Sequence, residues 1–171
     1  MTEQQQKYLD SLAGKSHLRV LFVCLGNICR SPAAEGVMKA LVDAQGDAGR
    51  WTIDSCGTGG WHIGDLPDRR MRVHGQRRGY DFNHICRQIR PSDFDRFDII
   101  IPMDDSNKAD LLEMAPTPEA ELKIVPMIDF VTLATRHHSV PDPYYEGAEG
   151  FELVLDMLEN ATYNLYRRLS R

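Results

Sequence analysis

At 171 residues and 42% hydrophobic content the chain suits one domain with a substantial core, and is too short for several. A net charge of -5 argues against general binding to nucleic acid or to an anionic membrane surface. No apolar run approaches the roughly 20 residues a bilayer crossing needs, residues 1–17 lack a signal-peptide core, and the four cysteines show neither zinc spacing nor disulfide density. The expectation is a cytoplasmic protein with reduced thiols.

Residues 1–17, with Gln4-Gln5-Gln6, read as a polar extension or frayed helix, leaving 18–171 as a single domain. Residues 18–23 are short, β-branched and apolar at almost every position, the pattern of a strand buried on both faces of a parallel sheet. After Cys24 come six loop residues, 25–30. Ser31 then suits an N-cap and Pro32 a first helical position, so the spacing predicts a helix over 31–44 that buries Ala34, Val37, Met38, Leu41 and Val42. Gly46 and Gly49 end it.

Residues 51–55 read as a second strand, followed by a glycine-rich loop over 56–64. A helix is predicted over 67–78, with Asp68, Arg69, Arg70, Arg72, Arg77 and Arg78 forming a solvated outer face. Residues 84–88 form a connector and 92–96 a helical turn. A third strand is predicted at 97–103, and Asp104-Asp105-Ser106-Asn107 caps a helix reaching Met114. Residues 122–127 read as a fourth strand. The last helix, 148–169, places Phe151, Val154, Leu155, Leu158, Ala161, Leu165 and Leu169 on one buried face. This alternation predicts an α/β fold: three α/β/α layers around a central four-stranded parallel sheet, flavodoxin- or Rossmann-like, with function at the C-terminal ends of the strands. Cys24, Ser55 and Met103-Asp104 fall at such ends.

The chemistry concentrates in Cys24-Leu25-Gly26-Asn27-Ile28-Cys29-Arg30-Ser31. Gly26 and Asn27 tolerate left-handed backbone, so the loop can aim successive N–H groups at one point in front of a helix N-terminus, a concavity suited to a phosphate-sized anion. The same field favours a thiolate at Cys24, a candidate nucleophile. Arg30 adds a planar fork that grips two oxygens at once. In Pro141-Asp142-Pro143-Tyr144-Tyr145, two prolines restrict the backbone around Asp142, a candidate proton donor. Tyr144 and Tyr145, with Trp61, could wall a cleft for an aromatic leaving group.

Residues 23–32, Val-Cys-Leu-Gly-Asn-Ile-Cys-Arg-Ser-Pro, resemble the signature of the low-molecular-weight protein tyrosine phosphatases, and the likeness extends from Leu18 over nearly all the rest. The resemblance implies a phosphatase I-like fold and hydrolysis of phosphotyrosine and aryl phosphate monoesters through a cysteinyl phosphate, with no metal or other cofactor. It assigns catalysis to Cys24, Arg30 and Asp142, and substrate contact to Leu25, Gly26, Asn27, Ile28, Cys29, Ser31, Trp61, Tyr144 and Tyr145. Ser55 and His84 would support the loop with Asn27 and Ser31, although His84 also reads as a plain connector histidine. Asp104 either orients Arg30 or only caps its helix. The implied partners are a phosphotyrosine protein as substrate and a tyrosine kinase, and a monomer is expected. The family often pairs the cysteines at positions 24 and 29 in a reversible disulfide, whereas Cys56 and Cys86 read as apolar fillers.

Three other readings compete. A thiol-dependent arsenate reductase of the same fold needs a closely spaced downstream cysteine pair, and Cys56 and Cys86 are isolated. The protein arginine phosphatase branch tends to carry Thr where Ile28 stands. A non-catalytic phosphate-binding module would lack a nucleophile or an acid, and both residue types are present. Departures from the family pattern are residues 1–17, Ile85 in place of a frequent basic residue, and the glycine-rich tract at 56–60. The last two put substrate preference in question.

Overall fold

Residues 1–170 are described by a computed structural model, in which parallel strands and amphipathic helices build three α/β/α layers. The central strand is β1 (Leu18–Cys24), paired in parallel with β2 (Trp51–Gly57) on one side and β3 (Ile99–Pro102) on the other. Every β1 residue except Arg19 is buried, because helices cover both faces. Val20, Phe22 and Cys24 join the layer of α2 (Arg30–Ala44) and α7 (Ala148–Leu169). Leu21 and Val23 join the opposite layer with Phe94, Phe97 and Leu111. That layer contains α4 (Asp93–Arg96), α5 (Asp105–Met114) and α6 (Pro118–Leu122).

The sheet has three strands, not the four expected from the sequence. At 122–127 only a single parallel bridge forms, between Ile124 and Ile100, held by Ile100 N–H to Lys123 O and Val125 N–H to Ile100 O. Helix α6 takes up Leu122, and Pro126 has no N–H to donate, so the ladder stops after one register position.

Three further expectations change. Helix α2 begins at Arg30, with Cys29 as N-cap and no side-chain cap, so Ser31 is freed to turn its hydroxyl inward. The helix expected over 67–78 is shorter: α3 (Arg69–Arg77), N-capped by Asp68, whose side chain accepts from Arg70 N–H. Residues 3–12 are not frayed. They form α1 (Glu3–Leu12), started by a Thr2/Gln5 capping box and docked through fully buried Leu9 and nearly buried Leu12. Gln5 Nε2 donates to Ile124 O, Tyr8 OH to Asp98 O, and Arg168 near the end of α7 pairs with Asp10. No helix among the described residues is long and apolar enough to cross a membrane.

β1, β2 and β3 all point their C-terminal ends at the same edge of the domain. That edge receives the loop over 25–29, the loop over 58–64 and the Met103-Asp104 turn.

Candidate active site

The loop after β1 is turned so that its carbonyls face the protein. Cys24 O accepts from Thr58 N–H, Leu25 O from Gly59 N–H, and Ile28 O from Asp68 N–H. The Cys86 thiol donates to Asn27 O at 2.7 Å; burial, and then the Asp65 carboxylate, push that thiol up to about 11, so it stays protonated as the donor. Among the described residues, the backbone N–H groups of 25–30 find no protein acceptor. They are left for the cleft that the loop borders, of about 220 Å³, which Cys24, Leu25, Gly26, Ile28, Cys29 and Arg30 line on one side. A row of free donors at the start of α2 has the form that suits an anion.

This shape depends on Asn27, which at φ 57° is the one non-glycine residue with left-handed backbone among those described. Such a conformation costs on the order of 1–3 kcal/mol and persists where surrounding contacts fix it. Here the fully buried side chain is bonded at both ends. Nδ2 donates to Ser31 Oγ (2.8 Å) and Ser55 Oγ (3.0 Å), while Oδ1 accepts from Arg87 N–H (3.0 Å) and His84 Nε2 (2.9 Å). Ser31 Oγ also lies 3.0 Å from Cys24 Sγ, close enough to donate to a thiolate.

Behind this network sits Glu35 of α2, itself buried. Its Oε1 accepts from Ser55 Oγ (2.8 Å) and lies 2.9 Å from His84 Nδ1, and its Oε2 pairs with Lys39. Burial pushes the Glu35 carboxyl upward; the hydrogen bonds and charges of His84 and Lys39 outweigh it, holding the group below its ordinary range. Glu35, Asp54 and His84 cluster closely enough to suggest a metal site. Yet Nε2 of His84 is engaged by Asn27 and Nδ1 faces Glu35, so these groups already satisfy one another.

At the end of the loop, buried Arg30 is fixed by Asp104 Oδ2 (2.7 Å) and Val140 O (3.1 Å). Asp104 also caps α5, its Oδ1 accepting from Asn107 N–H, so the two readings of it do not exclude each other. Val140 N–H donates to Met103 O, tying the following loop to the end of β3. That loop sets Asp142 at the cleft, with Oδ2 3.7 Å from Arg30 Nη2 and Oδ1 accepting from Tyr144 N–H. Burial pulls the Arg30 guanidinium down, but a Cys24 thiolate and the Asp104 and Asp142 carboxylates raise it overall. Trp61, Tyr144 and Tyr145 complete the cleft, with the two tyrosine rings edge to face at 5.0 Å.

A family model described as low molecular weight phosphotyrosine protein phosphatase matches residues 19–171. The chain belongs to this family. It is 41% identical over 149 residues to a low molecular weight protein-tyrosine-phosphatase of Streptomyces coelicolor, covering 86% of this chain and 90% of that one. A crystal structure of a protein tyrosine phosphatase from Entamoeba histolytica, with Hepes in its active site, superposes at a TM-score of 0.85 and 45% identity, covering 89% of this chain and 96% of that one. A solved Drosophila arginine phosphatase also superposes, at a TM-score of 0.81 and 33% identity, covering 88% and 96%.

In this member of the phosphatase family, Cys24, Leu25, Gly26, Ile28, Cys29, Arg30, Trp61, Asp142, Tyr144 and Tyr145 line the cleft, Ser55, His84 and Asp104 lie behind it, and Asn27 and Ser31, expected at the substrate, have side chains fully buried beneath the loop. Three participants escaped sequence reading. Glu35 looks like an ordinary helix former, and nothing local says that Ser55 and His84 will meet it. Cys86 bonds the loop by its thiol, more than a filler does. Arg70 is also more than a solvated arginine. Asp68 grips it at Nε and Nη2, and its guanidinium lies 5.2 Å from the Tyr144 ring centre and 4.9 Å from that of Phe151. Arg78, from the same face, is likewise committed to Glu152, Asp156 and Glu159 on α7.

Proposed function

We propose that the protein is a cytoplasmic, monomeric phosphatase that hydrolyses phosphotyrosine in proteins phosphorylated by a tyrosine kinase. The observation that carries this reading is the arc of unpartnered N–H groups over Cys24, with Arg30 and Asp142 facing it. In the first step the Cys24 thiolate attacks phosphorus, the bond to the tyrosine oxygen breaks, and Asp142 gives that oxygen its proton. The loop N–H groups and Arg30 hold the three equatorial oxygens as charge shifts between them. Ser31 Oγ donates to the sulfur, lowering the cost of its negative charge. In the second step the Asp142 carboxylate takes a proton from a water that attacks the cysteinyl phosphate, the S–P bond breaks, and inorganic phosphate leaves with Asp142 reprotonated. Trp61, Tyr144 and Tyr145 hold the phenyl ring.

Hydrolysis of an aryl phosphate, with phosphoarginine and arsenate assayed in parallel, tests the assignment. Cys24→Ser should abolish turnover, and retained activity would overturn the mechanism. Asp142→Ala should slow poor leaving groups by about 100- to 10,000-fold and good ones far less; equal slowing removes Asp142 from the acid role. A preference for phosphoarginine would favour the arginine phosphatase reading, against which Ile28 stands as an apolar contact with no partner for a guanidinium.

A further inference from the structure

We infer that the apolar rim outside the cleft is a docking surface for the substrate chain on either side of its phosphotyrosine, and that it selects apolar flanking residues over acidic ones. The inference rests on the phosphatase reading and goes beyond it by naming the sequence class.

Large apolar side chains are concentrated around the mouth of the cleft. Trp61 is 72% exposed, Ile63 61% and Ile85 57%, with Leu25, Leu66 and Tyr145 also open to solvent. Two backbone bonds bring separate segments of this rim together: Gly64 N–H to Cys86 O and Cys86 N–H to Asp65 O, both 2.9 Å. Ile63 and Leu66 flank the bonded residues on one segment and Ile85 on the other. The segment is joined to the cradle as well, since Gly59 N–H bonds Leu25 O and the Trp61 and His62 side chains line the cleft itself. Folding left these groups outside while burying apolar side chains throughout the core, and a grouped apolar surface of this kind marks a contact site.

The reaction itself fixes the occupant. A phosphotyrosine seated on Cys24 carries its own polypeptide out of the cleft, and the cleft is continuous with this rim. Charge favours apolar over acidic neighbours. Asp65 is exposed beside Ile63, Glu146 is exposed on the facing loop, and the chain as a whole carries -5. Arg70, an exposed cation on α3, has its guanidinium paired with Asp68 and stacked on Tyr144. Ile85 brings no charge of its own.

The test compares kcat/KM for two phosphotyrosine peptides, one with Leu and Val flanks and one with Glu and Asp flanks, against p-nitrophenyl phosphate, in the parent and in an Ile63→Ser/Ile85→Lys double variant. The parent should favour the apolar peptide by about ten-fold, mainly through KM, because flanking contacts bind ground and transition states alike. The double variant should lose that preference and keep parental turnover of p-nitrophenyl phosphate. Equal kcat/KM for the two peptides in the parent, or a preference that survives both substitutions, overturns the proposal while leaving the phosphatase reading intact. Absence of turnover on p-nitrophenyl phosphate in the parent defeats the phosphatase reading first and the docking surface with it.

Discussion

Within the site, single residues carry opposite duties. Asn27 holds a strained backbone by satisfying its amide at both ends, and the carboxylate behind it, Glu35, is buried and pulled below its ordinary value of 4.5 chiefly by His84 against the cost of burial. A depressed carboxylate stabilises the fold fully above its unfolded value, and that contribution drains as pH falls through the folded one. Glu35→Gln should therefore be less stable than the parent at pH 7, with the gap narrowing below pH 4.5; thermal melts across that range read the difference, and a constant gap would show that the charge is idle. Cys29 stands differently. Burial and the Asp68 carboxylate raise its thiol, so it is a protonated neighbour to Cys24 rather than a second nucleophile. If the pairing common in the family operates, peroxide converts the Cys24 thiolate to a sulfenic acid, and Cys29 condenses with it to a disulfide, releasing water. Activity lost to peroxide should then return with a dithiol reductant in the parent and stay lost in Cys29→Ser. Equal recovery in both would exclude the disulfide.

Among the elements, β1, its loop and α7 were legible because each carries its instruction locally: continuous apolar residues, a glycine and an asparagine before a helix start, and a long three-and-four spacing. The fourth strand was misread because a short apolar run beside Pro126 has the strand pattern without the donors to extend a ladder. Along α3 and its cap, Arg69 and Arg77 stay exposed as expected, while Arg70 and Arg78 were misread for a different reason. Charge on a helix looks the same whether solvated or matched by a distant partner, and only the fold brings Tyr144 beneath Arg70 and Glu152 beside Arg78. Arg70 links α3, whose preceding Asp68 bonds the cradle at Ile28 O, to the aromatic wall. Since an exposed cation–π contact is worth about 0.5–1 kcal/mol, Arg70→Ala should raise KM for an aryl phosphate by roughly two- to five-fold with little change in kcat. Arg70→Lys should recover part of this, because it keeps the charge and loses the fork gripped by Asp68. An unaltered KM in Arg70→Ala would mean that the stack does not steady Tyr144.

At the level of the whole molecule, chemistry and cohesion occupy opposite edges of the sheet. The cradle, Asp104 and the Asp142 loop gather at the C-terminal ends of the strands. α1 works from the other edge, through Tyr8 on Asp98, just before β3, and through Leu9 in the core, and Lys15 just after it pairs with the Asp98 carboxylate. Residues 1–17 were read as polar because Gln and charged residues dominate them. Their two anchoring leucines become meaningful only when α7 and the sheet offer a surface to cover. Leu9→Ala should cost about 3 kcal/mol, seen as a lower melting temperature, with kcat on p-nitrophenyl phosphate unchanged well below the melt. A fall in kcat at low temperature would show that the two edges communicate. With the capped helix clamped at the far side, a screen for thermal hardening can work on residues 1–17 without retuning the cleft.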